Sequence, residues 1–117
     1  MLRTEKDYIL RMIAAAAATV ALLRARLVGG AQPDEIVKAV REAQIELLGP
    51  ETGLLRALAP ESAAHAIGDR ERITAWADLL QLEADAMAKS GDSVGAGALT
   101  RRVVALRDLA SAKKEQK

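Results

Sequence analysis

The sequence predicts an all-α protein built from antiparallel helical hairpins, and three observations carry that reading. Apolar residues recur at intervals of three and four, the spacing of one helical face, along most of the chain. Alanine is abundant and alternating runs of Val, Ile and Thr are nearly absent, which favours helices over strands. Breaks at Gly29-Gly30, Gly49-Pro50 and Ser90-Gly91-Asp92 separate the periodic stretches. About four long helices and one or two short ones are expected, in a single domain over 1–112 with a frayed basic tail at 113–117. The only aromatics are Tyr8 and Trp76, so the core must be aliphatic. At 117 residues, roughly two-thirds of the unfolded surface is buried on folding, enough for one core.

The clearest unit runs from Ile73 to Leu109. Ile73, Trp76, Ala77, Leu80, Ala84 and Met87 share one helical face, with Asp69 as the N-cap and Gly91 as the stop. Asp92 caps a second helix whose stripe is Ala96, Leu99, Val103, Leu106 and Ala110. A turn this short forces the two helices antiparallel. Ala84 precedes Gly91 by seven residues and Ala96 follows it by five, so two small side chains bracket the turn and let the axes approach. In this the unit resembles a tetratricopeptide repeat (TPR), although Thr100 stands where the repeat has an aromatic and no proline closes it. Trp76 is also out of register with the repeat's tryptophan.

From the start of the chain, Met1 to Val28 reads as one long helix with Ile9, Ile13, Ala16, Val20, Leu23 and Leu27 as its buried stripe. Thr4 and Asp7 have the spacing of a capping box. The uncharged run from Met12 to Leu23, behind Arg11, is similar to a signal-peptide core. Glu5 and Asp7 interrupt the leader, however, Arg24 and Arg26 follow the run directly, and the run is too short to span a bilayer. A cytoplasmic helix, with no membrane partner, is the expectation. Pro33 opens the next helix, with Ile36, Val40, Ala43 and Leu47 inward and Val37 and Leu48 beside them, and Gly49-Pro50 ends it. Thr52 to Ala59 and Pro60 to Ile67 read as short helices plugging the gap between two hairpins. Asp7-Tyr8-Ile9-Leu10-Arg11-Met12-Ile13, Glu46-Leu47-Leu48-Gly49 and the Gly91-Asp92 turn together resemble a family of small bacterial TPR-like proteins, a domain of unknown function. The likeness covers most of the chain; it implies a helical-repeat fold and brings no catalytic residues with it.

The composition excludes several functions. Without cysteine there is no disulfide, thiolate nucleophile, zinc ribbon or iron–sulfur cluster. A net charge of +1, from 17 basic and 16 acidic residues, creates no field that selects nucleic acid or anionic lipid. Glu61, His65 and Asp69 are spaced four apart, but Gly68 should end the helix before Asp69 arrives, so no metal site is assigned. Ser62, Ser90, Ser93 and Ser111 fall at caps, loops or surface, with one histidine among them for a base. Gly91 to Gly97 is glycine-rich but follows a helix and lacks the Lys-Ser/Thr of a phosphate loop. Arg101, Arg102, Arg107, Lys113 and Lys114 lack the interleaved aromatics of an RNA-binding helix. Glu42 and Glu46 face solvent opposite Val40, and Glu83 and Asp85, two residues apart, point away from each other.

What this reading leaves unassigned is apolar surface. Arg11, Ala15, Ala18, Leu22 and Arg26 form a second face on the first helix, shallow and apolar with an arginine at each end. Ile45 and Val104 also lie off the main stripes. Such a face is buried either by the short middle helices, the favoured expectation, or by another chain. The sequence thus predicts a non-enzymatic interaction module that contacts a protein partner or forms a homodimer. No cofactor, metal or catalytic residue is assigned. The alternative is a bundle holding a small apolar ligand near Trp76, Met87 and Leu106.

Overall fold

Helix boundaries fall where the local breaks place them. The computed structural model describes residues 2–115, with side chains from Glu5 to Lys113. Over these residues the chain forms six helices and no strand: α1 (Leu2–Val28), α2 (Pro33–Leu48), α3 (Thr52–Ala57), α4 (Pro60–Ile67), α5 (Arg70–Lys89) and α6 (Ser93–Glu115). The Thr4 side chain, and with it the capping box, lies outside the described residues. Of the expected tail, Lys113 to Glu115 continue α6, and Gln116 and Lys117 lie outside the described residues. Helix α3 stops two residues earlier than expected. Leu58 and Ala59 turn extended, at ψ 154° and 151°; the Pro60 ring excludes helical backbone from Ala59, the residue before it.

The turn between α5 and α6 is built from the expected residues. Gly91 takes φ 98°, and Asp92 N–H donates back to Met87 O at 3.0 Å. Asp92 then caps α6, its Oδ1 accepting from Gly95 N at 2.9 Å, while Asp69 Oδ1 caps α5 by accepting from Arg72 N at 2.9 Å. A Cβ on Gly95 would stand 2.5 Å from both the Asp92 carboxylate and the Met87 methyl, so this second glycine makes room for the cap. Ala84 and Ala96 are both buried across the turn.

Helix α5 is the centre of the protein. It packs against α1, α2, α4 and α6, and Ala75, Trp76, Ala77, Leu79, Leu80 and Leu82 are all buried. The sequence reading gave α5 one apolar face; the structure corrects this, because α1 and α2 cover one flank and α6 the other. Contacts between α1 and α5 keep one offset along both helices, so the two run parallel: Arg24 Nη1 meets Asp85 Oδ2 at 2.9 Å and Lys89 Nζ donates to Leu27 O at 3.2 Å. Helix α1, 27 residues and about 40 Å long by its rise, sets the 43 Å long axis of the molecule.

Helix α1 occupies the edge of this arrangement. Ala16, Leu23 and Leu27 are buried against α2 and α5, with Met12, Ile13 and Val20 packed partly beside them. The short helices lie elsewhere: α3 packs on α2 and α4, and α4 packs on α5 and α6.

Gly91→Ala forces an L-residue into left-handed backbone and should lower stability by about 1–2 kcal/mol. Thermal or denaturant unfolding of the variant measures it, with Ala88→Gly as a control for helix propensity alone.

Candidate functional site

Two features stand out: a charge cluster inside the bundle and an uncovered face outside it. The cluster is centred on Glu83, whose side chain is 0% exposed. Its Oε1 accepts from Gln44 Nε2 at 2.7 Å and Arg56 Nη1 at 2.9 Å. Its Oε2 accepts from Arg41 Nε at 3.0 Å and Arg56 Nη2 at 3.1 Å. The Arg56 fork is bidentate, the strongest geometry for a guanidinium and a carboxylate. Gln44 Oε1 in turn accepts from Arg56 Nη1 at 2.8 Å and from the indole Nε1 of Trp76 at 3.1 Å. One carboxylate therefore joins α2, α3 and α5.

Arg102 extends the cluster to α6. Its guanidinium lies 5.3 Å from the centroid of the Trp76 ring. Its Nη1 and Nη2 donate to Leu58 O at 2.8 Å and Leu55 O at 2.6 Å, satisfying carbonyls left over at the end of α3. Its Nε is buried with no protein acceptor. Arg72 does the same service for α2, its Nε and Nη2 donating to Leu47 O at 3.0 and 2.7 Å.

Burial alone would raise the Glu83 carboxyl. Hydrogen bonds from Arg56 and Gln44, the Arg56 charge and the Arg41 hydrogen bond outweigh it and hold the group below its ordinary 4.5. Burial, and then the neighbouring Arg56 charge, push the Arg102 guanidinium below its ordinary value. A carboxylate whose two oxygens already accept four donors has no lone pair to offer a substrate proton. Its role is to hold helices.

The other acidic and basic groups are dispersed. Asp85 leaves Glu83 behind and pairs with Arg24 on the surface, and Arg107 pairs with Asp78. Glu42 and Glu46 are exposed, as are His65 and Glu61. Gly68 ends α4 and Asp69 is committed to the α5 cap, so the Glu61, His65, Asp69 series is split between two helices. Trp76 and Leu106 are fully buried, and the Trp76 ring is occupied by Arg102.

On α1, the structure leaves Arg11, Ala15, Ala18, Leu22 and Arg26 all exposed, with Leu22 at 60%. The expectation that the short middle helices cover this face is overturned. The reason is topological: the carbonyls of α3 are held by Arg102 and α4 lies on α6, which places both helices on the far side of α5 from α1. On the other flank of α1, α1 and α5 enclose an open groove of about 300 Å³ between Ile13, Ala17 and Val20 on one wall and Arg70, Thr74 and Asp78 on the other.

Sequence reasoning missed the cluster, although it left a signal. Glu83 lies seven residues after Trp76 and Gln44 four after Val40, both in register with apolar stripes. A polar residue at an inward register needs buried partners.

Removing the Glu83 charge leaves Arg56 facing the core unpaired, so Glu83→Ala should cost about 3–5 kcal/mol in denaturant unfolding. Arg41→Ala, at a head 54% exposed, should cost about 1 kcal/mol or less. A carboxyl held low in the folded state binds fewer protons there than when unfolded. Its stabilisation is therefore complete above about pH 4.5 and is lost as pH falls towards the lowered value. Glu83→Gln should flatten that acid limb of the stability profile; an unchanged limb contradicts the assignment.

No family model matches the chain, and neither a curated protein nor a solved structure matches it. Its role must be read from its own surface and interior.

Proposed function

We propose that this chain is a non-enzymatic helical interaction module that contacts a protein partner, or a second copy of itself, through the outer face of α1. The observation that carries the reading is that Arg11, Ala15, Ala18, Leu22 and Arg26 stay exposed once the chain has folded. The most apolar 18-residue window within Glu5–Val28 has a mean hydropathy of 1.6, and only 11% of it is buried. A helix this apolar, covered on one side only, is the expected form of a contact surface. By length and hydropathy the same stretch also passes for a membrane span. A cytoplasmic protein contact is favoured because Ala16, Leu23 and Leu27 lock α1 into the core, and a membrane-crossing α1 would surrender that packing.

A TPR-like arrangement fits this role. The α1–α2 and α5–α6 pairs are the two units, and α5 packs on both helices of the preceding pair, as stacked repeats do. The second reading is a small apolar ligand. The open groove between α1 and α5 favours it over the filled interior at Trp76.

Leu22→Asp and Ala18→Glu change exposed positions and should leave the helical circular dichroism intact. Each should abolish self-association in sedimentation velocity or capture of the native partner in pull-down. A monomeric parent whose pull-down profile is unaltered by Leu22→Asp contradicts the proposal.

A further inference from the structure

Resting on the role proposed for the α1 face, we infer that its occupant is a second copy of this chain, docked antiparallel about a twofold axis that passes between Ala15 and Ala18. The first argument is the order of side chains. Tyr8, Arg11, Ala15, Ala18, Leu22 and Ala25 follow steps of three and four along α1, the seam of a two-helix coil, and all are exposed. Reversing the chain direction maps this seam onto itself. Tyr8, 54% exposed, then meets Ala25 of the partner subunit, Arg11 meets the partner's Leu22, and Ala15 meets the partner's Ala18. Each outer layer sets a long side chain against a shorter or apolar one, and the central alanines let the two axes close. A parallel pair would stack Tyr8 on Tyr8 and Arg11 on Arg11, opposing like charges.

The second argument is charge. Along the α2 edge of the seam stand Glu42 and Glu46, both exposed, and Glu46 lines the cleft beside Ala15 and Thr19. Neither forms an ion pair among the described residues, and neither do Arg11 and Arg26. Helix α2 runs antiparallel to α1, so Glu42 stands one turn nearer to Leu22 than Glu46 does, and in the antiparallel pair the partner's Arg11, coming down beside Leu22, lies nearest Glu42. The surface is therefore complementary to itself, as an isologous interface must be. The third argument is position. The outermost helix of a helical stack stays alone in solution when its outer face is polar, and that of α1 is uncharged from Met12 to Leu23.

The chain has no cysteine, which makes the orientation directly testable. Sedimentation equilibrium of the intact protein should give a dimer, and Leu22→Asp should weaken it by at least about tenfold with circular dichroism unchanged. Ala15→Cys lies next to the axis and should form an interchain disulfide with its own copy. Leu22→Cys sits about 16 Å from its counterpart along the paired helices and should not, whereas a mixture of Arg11→Cys and Leu22→Cys copies should cross-link. Leu22→Cys joining itself as readily as Ala15→Cys would establish a parallel pair and overturn the inference. A monomer at every concentration overturns it too, including one that floats with anionic phosphatidylglycerol vesicles. If such a monomer still loses capture of a different protein on Leu22→Asp, the second copy is excluded while the interaction-module reading survives.

Discussion

The fold depends on one buried carboxylate. Glu83 faces the interior of the central helix, where an unpaired charge could not be tolerated. Its two oxygens therefore fix the side chains of Arg41, Gln44 and Arg56 at once, and with them the registers of α2 and α3 against α5. Apolar contact is non-directional and would permit these helices to slide. Bidentate hydrogen bonds do not. The six-residue α3, too short to be stable by itself, is held by Arg56 and Arg102 through this network and by the buried Leu55 and Thr52.

The chain thus treats its two sides differently. On the α3 and α6 side of α5, arginine heads reach inward to carbonyls and a carboxylate, alongside the aliphatic Val103, Leu106 and Ala110 of α6. On the α1 side the contacts are aliphatic, supplemented at the surface by Arg24 with Asp85 and Lys89 with the Leu27 carbonyl. Helix α1 is anchored by one stripe and presents another. The interior polar groups are paired with each other, Arg102 Nε excepted, whereas among the described residues the outer stripe of α1 stays exposed, with Glu46 of α2 at its edge. That contrast directs attention to the surface rather than the interior for function.

Much of the fold was legible because its boundaries are local. Asp69, Gly91, Asp92, Pro33 and Pro60 act within a few residues of where they stand, and each does in the structure what its type requires. Helix α3 ends short of Ala59 because Pro60 bars helical backbone from the residue before it. Burial around all of α5 was not legible, since it depends on which helices arrive on either side. Arg41, Arg56 and Arg102 look like surface charges in isolation, and only Glu83 and Gln44, polar at inward registers, hinted at buried partners. The openness of the α1 face was likewise a question of where α3 and α4 go, which Arg102 decides from over 40 positions further along the chain.

The account holds that the interior is a closed structural network and that contact is made by the outer stripe of α1. Backbone amide chemical shifts followed over a dilution series test this most directly. The account predicts concentration-dependent shifts at Arg11, Ala15, Ala18, Leu22 and Arg26 and along the Glu42–Glu46 edge, with Glu83, Arg56 and the Trp76 indole unmoved. Shifts centred on α3 and α4, or on the Glu83 network, would contradict it.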